Sequence, residues 1–174
     1  MRVILFLLAA GVFVLSAGYT PLLKRDSATY YFEQGIRHDE REDYERAEEA
    51  LRKALTINSN LANAHLALGA VYLKTDRLRE AEQSIMQTIH TLPRSGVRGA
   101  EYKKILSLAY NNLGVIEEKR IIRALAEQDI PAAESHLASS RAFYLEAMEF
   151  DPQNELAFYN WRRLPAQIIR TTGG

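Results

Sequence analysis

The chain has 174 residues, 47% of them hydrophobic and 25% charged, with 22 Lys and Arg against 22 Asp and Glu and no cysteine. The balanced charge excludes the global basic excess that phosphate-backbone binding needs, so no nucleic acid partner is expected. The missing cysteine excludes a disulfide, a thiolate metal site, a cysteine nucleophile and a cysteine-linked lipid, while the length allows one domain with a sizeable core plus an appendage.

The appendage comes first. Val3 to Leu15 carries no charged or strongly polar side chain, follows Arg2, and stays weakly apolar to Leu23 before Lys24 and Arg25. Residues 3–23 as a helix would reach about 31 Å at 1.5 Å per residue, enough to span a bilayer. Residues 1–24 are therefore expected to be an N-terminal transmembrane anchor or a signal peptide, with Lys24 and Arg25 as the interfacial stop. Ser16, Ala17 and Gly18 supply the small residues of a cleavage site near Gly18, which is the alternative. The expected location is a single-pass membrane protein with its remaining domain on the non-cytoplasmic side, or a secreted or periplasmic chain after cleavage.

Beyond the anchor the pattern turns helical. Ala28 to about His38 carries Tyr30, Tyr31, Phe32 and Ile36, and Tyr44 to about Ile57 carries Ala47, Leu51 and Ala54. Asp43 is an expected N-cap for the second of these helices, and Asp76 for its counterpart one repeat on. Thirty-four residues after Gly35 comes Gly69, with His65, Leu68, Tyr72, Ala81 and Ile85 at matching positions. Glycine in mid-helix costs about 0.5 to 1 kcal/mol relative to Ala, so its return at a fixed period calls for close helix approach. Pro93 ends the second unit.

A third unit is stretched. Tyr110, Leu113 and Gly114 repeat the first-helix signature and Ser140, Tyr144 and Ala147 the second, but twenty-six residues separate Gly114 from Ser140 where twelve separate Gly69 from Ala81. The fourteen extra residues predict two added turns on each helix around Asp129, Ile130 and Pro131. Arg94 to Gly99 reads as a loop before a helix starting near Ala100. Glu155 to Leu164 reads as a last helix whose Phe158, Tyr159 and Trp161 cover the open end of the stack, with 165–174 as a tail.

The thirty-four-residue period, with Leu-Gly, an aromatic three on and then Ala-x3-large, resembles the tetratricopeptide repeat, a helix-turn-helix unit that stacks on its own copies. The resemblance implies an all-α, right-handed α-α superhelix of about three helix pairs over residues 25–164. Its parts are repeat 1 (28–60), repeat 2 (61–94), an elongated repeat 3 (100–152) and a capping helix (154–164). It also implies binding rather than catalysis. First helices line the concave groove of such folds, which places Phe32, Ile36 and Asp39, then Leu66, Ala70 and Leu73, then Asn111, Val115 and Glu118 in a peptide-binding groove. The same apolar positions are alternatively needed for the core of so short a stack. Phe32 and Ile36 stand where chaperone-binding members carry Lys and Asn, so acidic chaperone tails are disfavoured; Asn112 alone holds a clamp-like position.

No enzymatic constellation emerges. His38, His65, His90 and His136 have no metal-ligand spacing, and adjacent carboxylates such as Glu117 and Glu118 diverge by about 100° on a helix. Neither a phosphate-binding glycine loop nor a nucleophile elbow is present, and neither cofactor nor metal is expected. A basic set, Arg94, Arg98, Lys103, Lys104, Lys119, Arg120 and Arg123, reads as a solvated face or a contact for lipid headgroups or an acidic partner. The expected function is a membrane-anchored protein-interaction adaptor that helps assemble a membrane or cell-envelope complex. A chaperone for a subunit of an envelope assembly is the alternative, and self-association through open stack ends is a further possibility.

Overall fold

Stretches rich in Ala, Leu, Glu, Arg and Lys favour helix, and short polar turns separate them. The computed structural model describes residues 27–172, and the apolar segment 3–23 lies outside them. Seven α-helices and no strand occur among the described residues: α1 (Ala28–Glu40), α2 (Tyr44–Ile57), α3 (Ala62–Lys74), α4 (Leu78–Thr91), α5 (Gly99–Ala126), α6 (Ile130–Phe150) and α7 (Glu155–Thr172). A 3-10 turn over Leu92–Arg94 carries Pro93 where α4 stops. Among the described residues no helix is long and apolar enough to cross a membrane.

The helices divide into two compact units, the first ending at Ser59 and the second beginning at Asn60. The first holds the α1–α2 pair and the second holds α3 to α7. Each pair is built around its signature glycine. A Cβ on Gly35 would lie 2.6 Å from Leu51 Cγ, one on Gly69 2.6 Å from Ile85 Cγ1, and one on Gly114 2.5 Å from Tyr144 Cε1. Leu51, Ile85 and Tyr144 are fully buried, so the missing side chain is what admits each of them.

The turns within the pairs also share one geometry. Glu42, Asp76 and Gln128 each adopt φ of 60°. Behind them the amides of Asp43, Arg77 and Asp129 donate to the carbonyls of His38, Tyr72 and Ala124, at 2.9, 2.9 and 2.8 Å. This closing bond across a left-handed residue is the Schellman ending, which satisfies carbonyls orphaned by the end of a helix. None of the three left-handed residues is glycine, so nothing in the composition of the turns announces it. The register corrects one expectation. Asp43 and Asp129 do cap α2 and α6, accepting from Arg46 N at 3.4 Å and Ala132 N at 3.0 Å. Asp76, by contrast, aligns with Glu42 and sits one residue before the cap, which falls on Arg77 and has no side-chain bond.

Helices α5 and α6, 28 and 21 residues long against 13 and 14 in the second pair, accommodate the insertion as helix. They flank a turn at Glu127 to Asp129, as the spacing predicts. In the second unit Ile105, Leu106, Leu92 and Ala62 form one apolar cluster, with Leu66, Tyr102, Tyr110 and Phe150 packed on it. Ile121, Ala124, Ala133, Tyr144 and Leu164 form another.

Helix α7 packs on α5 and α6, but not by the expected face. Ala157 and Leu164 are buried, whereas Phe158, Tyr159 and Trp161 are 50%, 64% and 38% exposed. At about 100° per residue the face through 157, 160 and 164 points inward, and 158 and 159 rotate away from it. Trp161 stands at the edge, stacked on Phe158 with ring centroids 6.3 Å apart. The helix continues to Thr172 instead of ending at Leu164.

Candidate functional site

The nine groove positions fall into three sets with different surroundings. On α1, Phe32, Ile36 and Asp39 follow one another at helical spacing and each keeps part of its surface exposed. On α3, Leu66 packs on the apolar cluster around Ile105, Ala70 is half-buried and Leu73 is buried. On α5, Asn111 and Glu118 are buried and bonded to α7, while Val115 is half-buried.

Asn111, expected to hold a partner's amide, has its side-chain oxygen occupied by Asn160 Nδ2 at 3.0 Å, and its own Nδ2 donates to Asn112 Oδ1 at 3.4 Å. Val115 packs against the cluster that contains Leu164. The Glu118 carboxylate accepts from Tyr144 Oη on one oxygen and from Arg163 Nη2, at 2.6 Å, on the other. Arg163 Nε completes the circuit to Asn160 Oδ1 at 3.2 Å. The physical cause is Tyr144. A buried phenol has to place its hydroxyl, here on the Glu118 carboxylate, and a carboxylate so buried needs a cation, which α7 brings.

Burial dominates the titration of this group. It pushes the Glu118 carboxyl up against the opposing pull of Tyr144 and Arg163. The Tyr144 hydroxyl is pushed well above the usual phenol range, by burial first and the adjoining carboxylate second. A second polar seam runs nearby: Ser107 Oγ donates to Ala147 O at 2.7 Å and accepts from Asn154 Nδ2 at 2.8 Å. Asn154 Oδ1 in turn accepts from Ala157 N at 3.0 Å and caps the start of α7. Serine hydroxyls also tie α6 to α5, through Ser140 Oγ to Gly114 O at 2.9 Å.

The cations separate into two groups that the sequence presents as one. Arg120 grips Glu82 with Nη2 at 2.5 Å and Glu117 with Nη1 at 2.5 Å, and the bond to Glu82 leads the causes that raise its pKa. Lys119 and Arg123 hold Asp76 at 3.0 and 2.7 Å, and these bonds hold its carboxyl below the usual range. Arg94, Arg98, Lys103 and Lys104 make no ion pair among the described residues.

The histidines are dispersed. His38 Nδ1 lies 3.7 Å from Asp43, His136 Nδ1 lies 2.6 Å from the buried Glu117, and His90 approaches Arg94. No group of three metal-ligating side chains is found among the described residues.

A family model for the tetratricopeptide repeat matches residues 40–76. Over 99 residues the chain is 32% identical to anaphase-promoting complex subunit 3 of Schizosaccharomyces pombe, an alignment spanning 51% of this chain and 15% of that protein. Among solved structures it is similar to the first tetratricopeptide domain of Spaghetti (RPAP3) bound to an HSP90 peptide. That match has a TM-score of 0.60 and 15% identity, covering 82% of this chain and 93% of the other. The fold is tetratricopeptide-like. YrrB, a tetratricopeptide protein described as having an unusual peptide-binding site, aligns at a TM-score of 0.40 and 21% identity, over 82% of this chain and 78% of its own. Of the tetratricopeptide features, the signature glycines and the residues they admit were legible in the sequence. The closure of α5 by α7 was not, because Asn160 and Arg163 belong to no repeat signature.

Proposed function

We propose that this protein is a non-enzymatic, membrane-tethered adaptor that holds a segment of a protein partner against the first-helix face of its tetratricopeptide fold. The observation that carries the reading is the difference between α1 and α5. Asn111 and Glu118 are buried and bonded to α7, whereas Phe32 and Ile36 keep apolar surface accessible on α1. An apolar or amphipathic helix or extended segment matches such a surface. The absence of Lys and Asn from those two positions disfavours an acidic chaperone tail as the occupant.

The tether rests on the apolar run before Lys24, and assembly of a membrane or cell-envelope complex, with the domain on the non-cytoplasmic side, follows from joining that run directly to a binding module. The test is photo-crosslinking from Ile36 in cells, with membrane fractionation and intact mass on the same sample. A discrete protein adduct on a membrane-bound chain of full mass is expected. Adducts with many unfolded clients, on a soluble chain that begins at Tyr19, would replace the adaptor by a secreted or periplasmic chaperone. Turnover of a small substrate with no protein adduct would overturn both.

A further inference from the structure

The cations without an ion pair lie close in sequence around the start of α5, in the second unit. Between Arg94 and Lys104 the chain carries Arg94, Arg98, Lys103 and Lys104 against one carboxylate, Glu101. All four cations are exposed, and none is in an ion pair among the described residues. The contrast with Lys119, Arg120 and Arg123 on the same helix is what gives them meaning. Those three meet Asp76, Glu82 and Glu117 within the fold, so their charge is neutralised where it stands.

Two of these cations, Arg98 and Lys103, also line a shaped feature. Pro93, Arg98, Gly99, Tyr102 and Lys103 line a cleft of about 470 Å³ that opens to solvent. Its lining thus joins a proline and a half-buried tyrosine to an arginine and a lysine. The backbone that shapes it is specific. Gly96 and Gly99 take φ of 83° and 65°, and Val97 N donates to Ser95 Oγ at 3.2 Å, fixing the approach to α5.

We infer that this cleft is a docking site for an acidic segment of a protein partner, an Asp- and Glu-rich stretch carrying one apolar or aromatic side chain to meet Pro93 and Tyr102. Charge complementarity selects the sign of the occupant, and the cleft selects a segment with a side chain to insert. A lipid surface fits less well, because no large exposed hydrophobic residue lies between 93 and 104 to enter a bilayer. Nucleic acid fits less well because the chain as a whole has no excess of positive charge.

The experiment uses the full chain in detergent and a fluorescent ten-residue peptide of Asp and Glu with a central Phe. Saturable binding is expected that weakens as salt rises from 50 to 300 mM, as expected of exposed charges. The pair Arg98→Glu and Lys103→Glu should reduce affinity about tenfold or more. Tyr102→Ala should weaken binding without changing its salt dependence. Lys119→Gln, which removes a paired cation, and Ile36→Asp, on the first-helix face, should leave affinity within about twofold, so that failure of the groove and failure of the cleft are read separately. Circular dichroism verifies that each variant remains helical. The inference is overturned by absence of saturable binding, by equal binding of the charge-reversed pair, by equal binding of a neutral peptide with the same Phe, or by binding only to phosphatidylserine vesicles.

Discussion

The pairs α1–α2 and α5–α6 meet the same demand with different chemistry. Both drop a large side chain onto a mid-helix glycine, Leu51 onto Gly35 and Tyr144 onto Gly114. Leucine asks nothing further of its neighbours. Tyrosine carries a hydroxyl into the core, and Glu118, Arg163 and Asn160 follow from it. On the face of α5 that corresponds to Phe32, Ile36 and Asp39, Asn111 and Glu118 are accordingly buried and bonded to α7.

Glu118→Ala should break that difference most strongly. It leaves Arg163 and the Tyr144 hydroxyl without their acceptor, and the loss is expected at about 3–5 kcal/mol, as for the removal of one member of a buried ion pair. Chemical denaturation measures it, and hydrogen exchange should locate the loosening in α7. If the loss is below about 1 kcal/mol, the Glu118 circuit is not what holds α7 in place.

Next come the glycines. Gly114→Ala drives a Cβ into the Tyr144 ring, with approaches of 2.5 and 2.8 Å, and a buried ring has no free end to swing aside. A net loss of about 1–3 kcal/mol is expected despite the gain in helix propensity. Gly35→Ala meets Leu51 Cγ and Cδ2 at 2.6 and 2.7 Å, and a leucine can change rotamer, so its loss should be the smaller of the two. Thermal melts of the two variants decide the order, and a reversed order would mean that the tyrosine pair has slack the leucine pair lacks.

A smaller effect, about 1 kcal/mol, is expected for Asn154→Ala, which uncaps α7 and removes a partner of Ser107. Faster amide exchange confined to the first turn of α7 is the readout.

The pH dependence contrasts a buried carboxylate with an exposed one. Asp76, held low by Lys119 and Arg123, contributes stability above the unfolded carboxylate pKa and loses it as pH falls through its lowered folded value. The difference between wild type and Asp76→Asn should therefore be present at neutral pH, shrink on acidification and fall with salt. Glu118 runs the other way. Its folded pKa is raised, so its linkage favours the fold below the unfolded value and is lost as pH rises through the raised one. Stability of Glu118→Gln relative to wild type should rise across that same interval in pH-dependent denaturation.

Much of the architecture was readable from a period and a gap. Glycines thirty-four residues apart announced close helix approach, and the fourteen extra residues between Gly114 and Ser140 announced two longer helices, because Glu117 to Gln128 holds no helix breaker and Pro131 stands where a helix can start. The turns were less readable. Asp76 looks like a cap in sequence and is instead a left-handed C′ residue, a difference of one position that only the closing bond to Tyr72 O reveals. The candidate site could be proposed from the sequence only as a register along each first helix, since the position relative to the glycine fixes which way a side chain faces. Which of those faces stay accessible was not legible there.

The sequence by itself therefore determined the helices, their pairing and the glycine-centred contacts, all of which depend on neighbours within a few dozen residues and on size alone. Only the tertiary structure decided where the charges find partners and which faces close. Arg163 meets Glu118 across 45 residues and Arg123 meets Asp76 across 47. Ion pairs formed at that separation carry no periodicity. They are fixed by how α5 packs against α4, the α3–α4 turn and α7, which is why Arg94, Arg98, Lys103 and Lys104 could be told from the paired cations only in three dimensions.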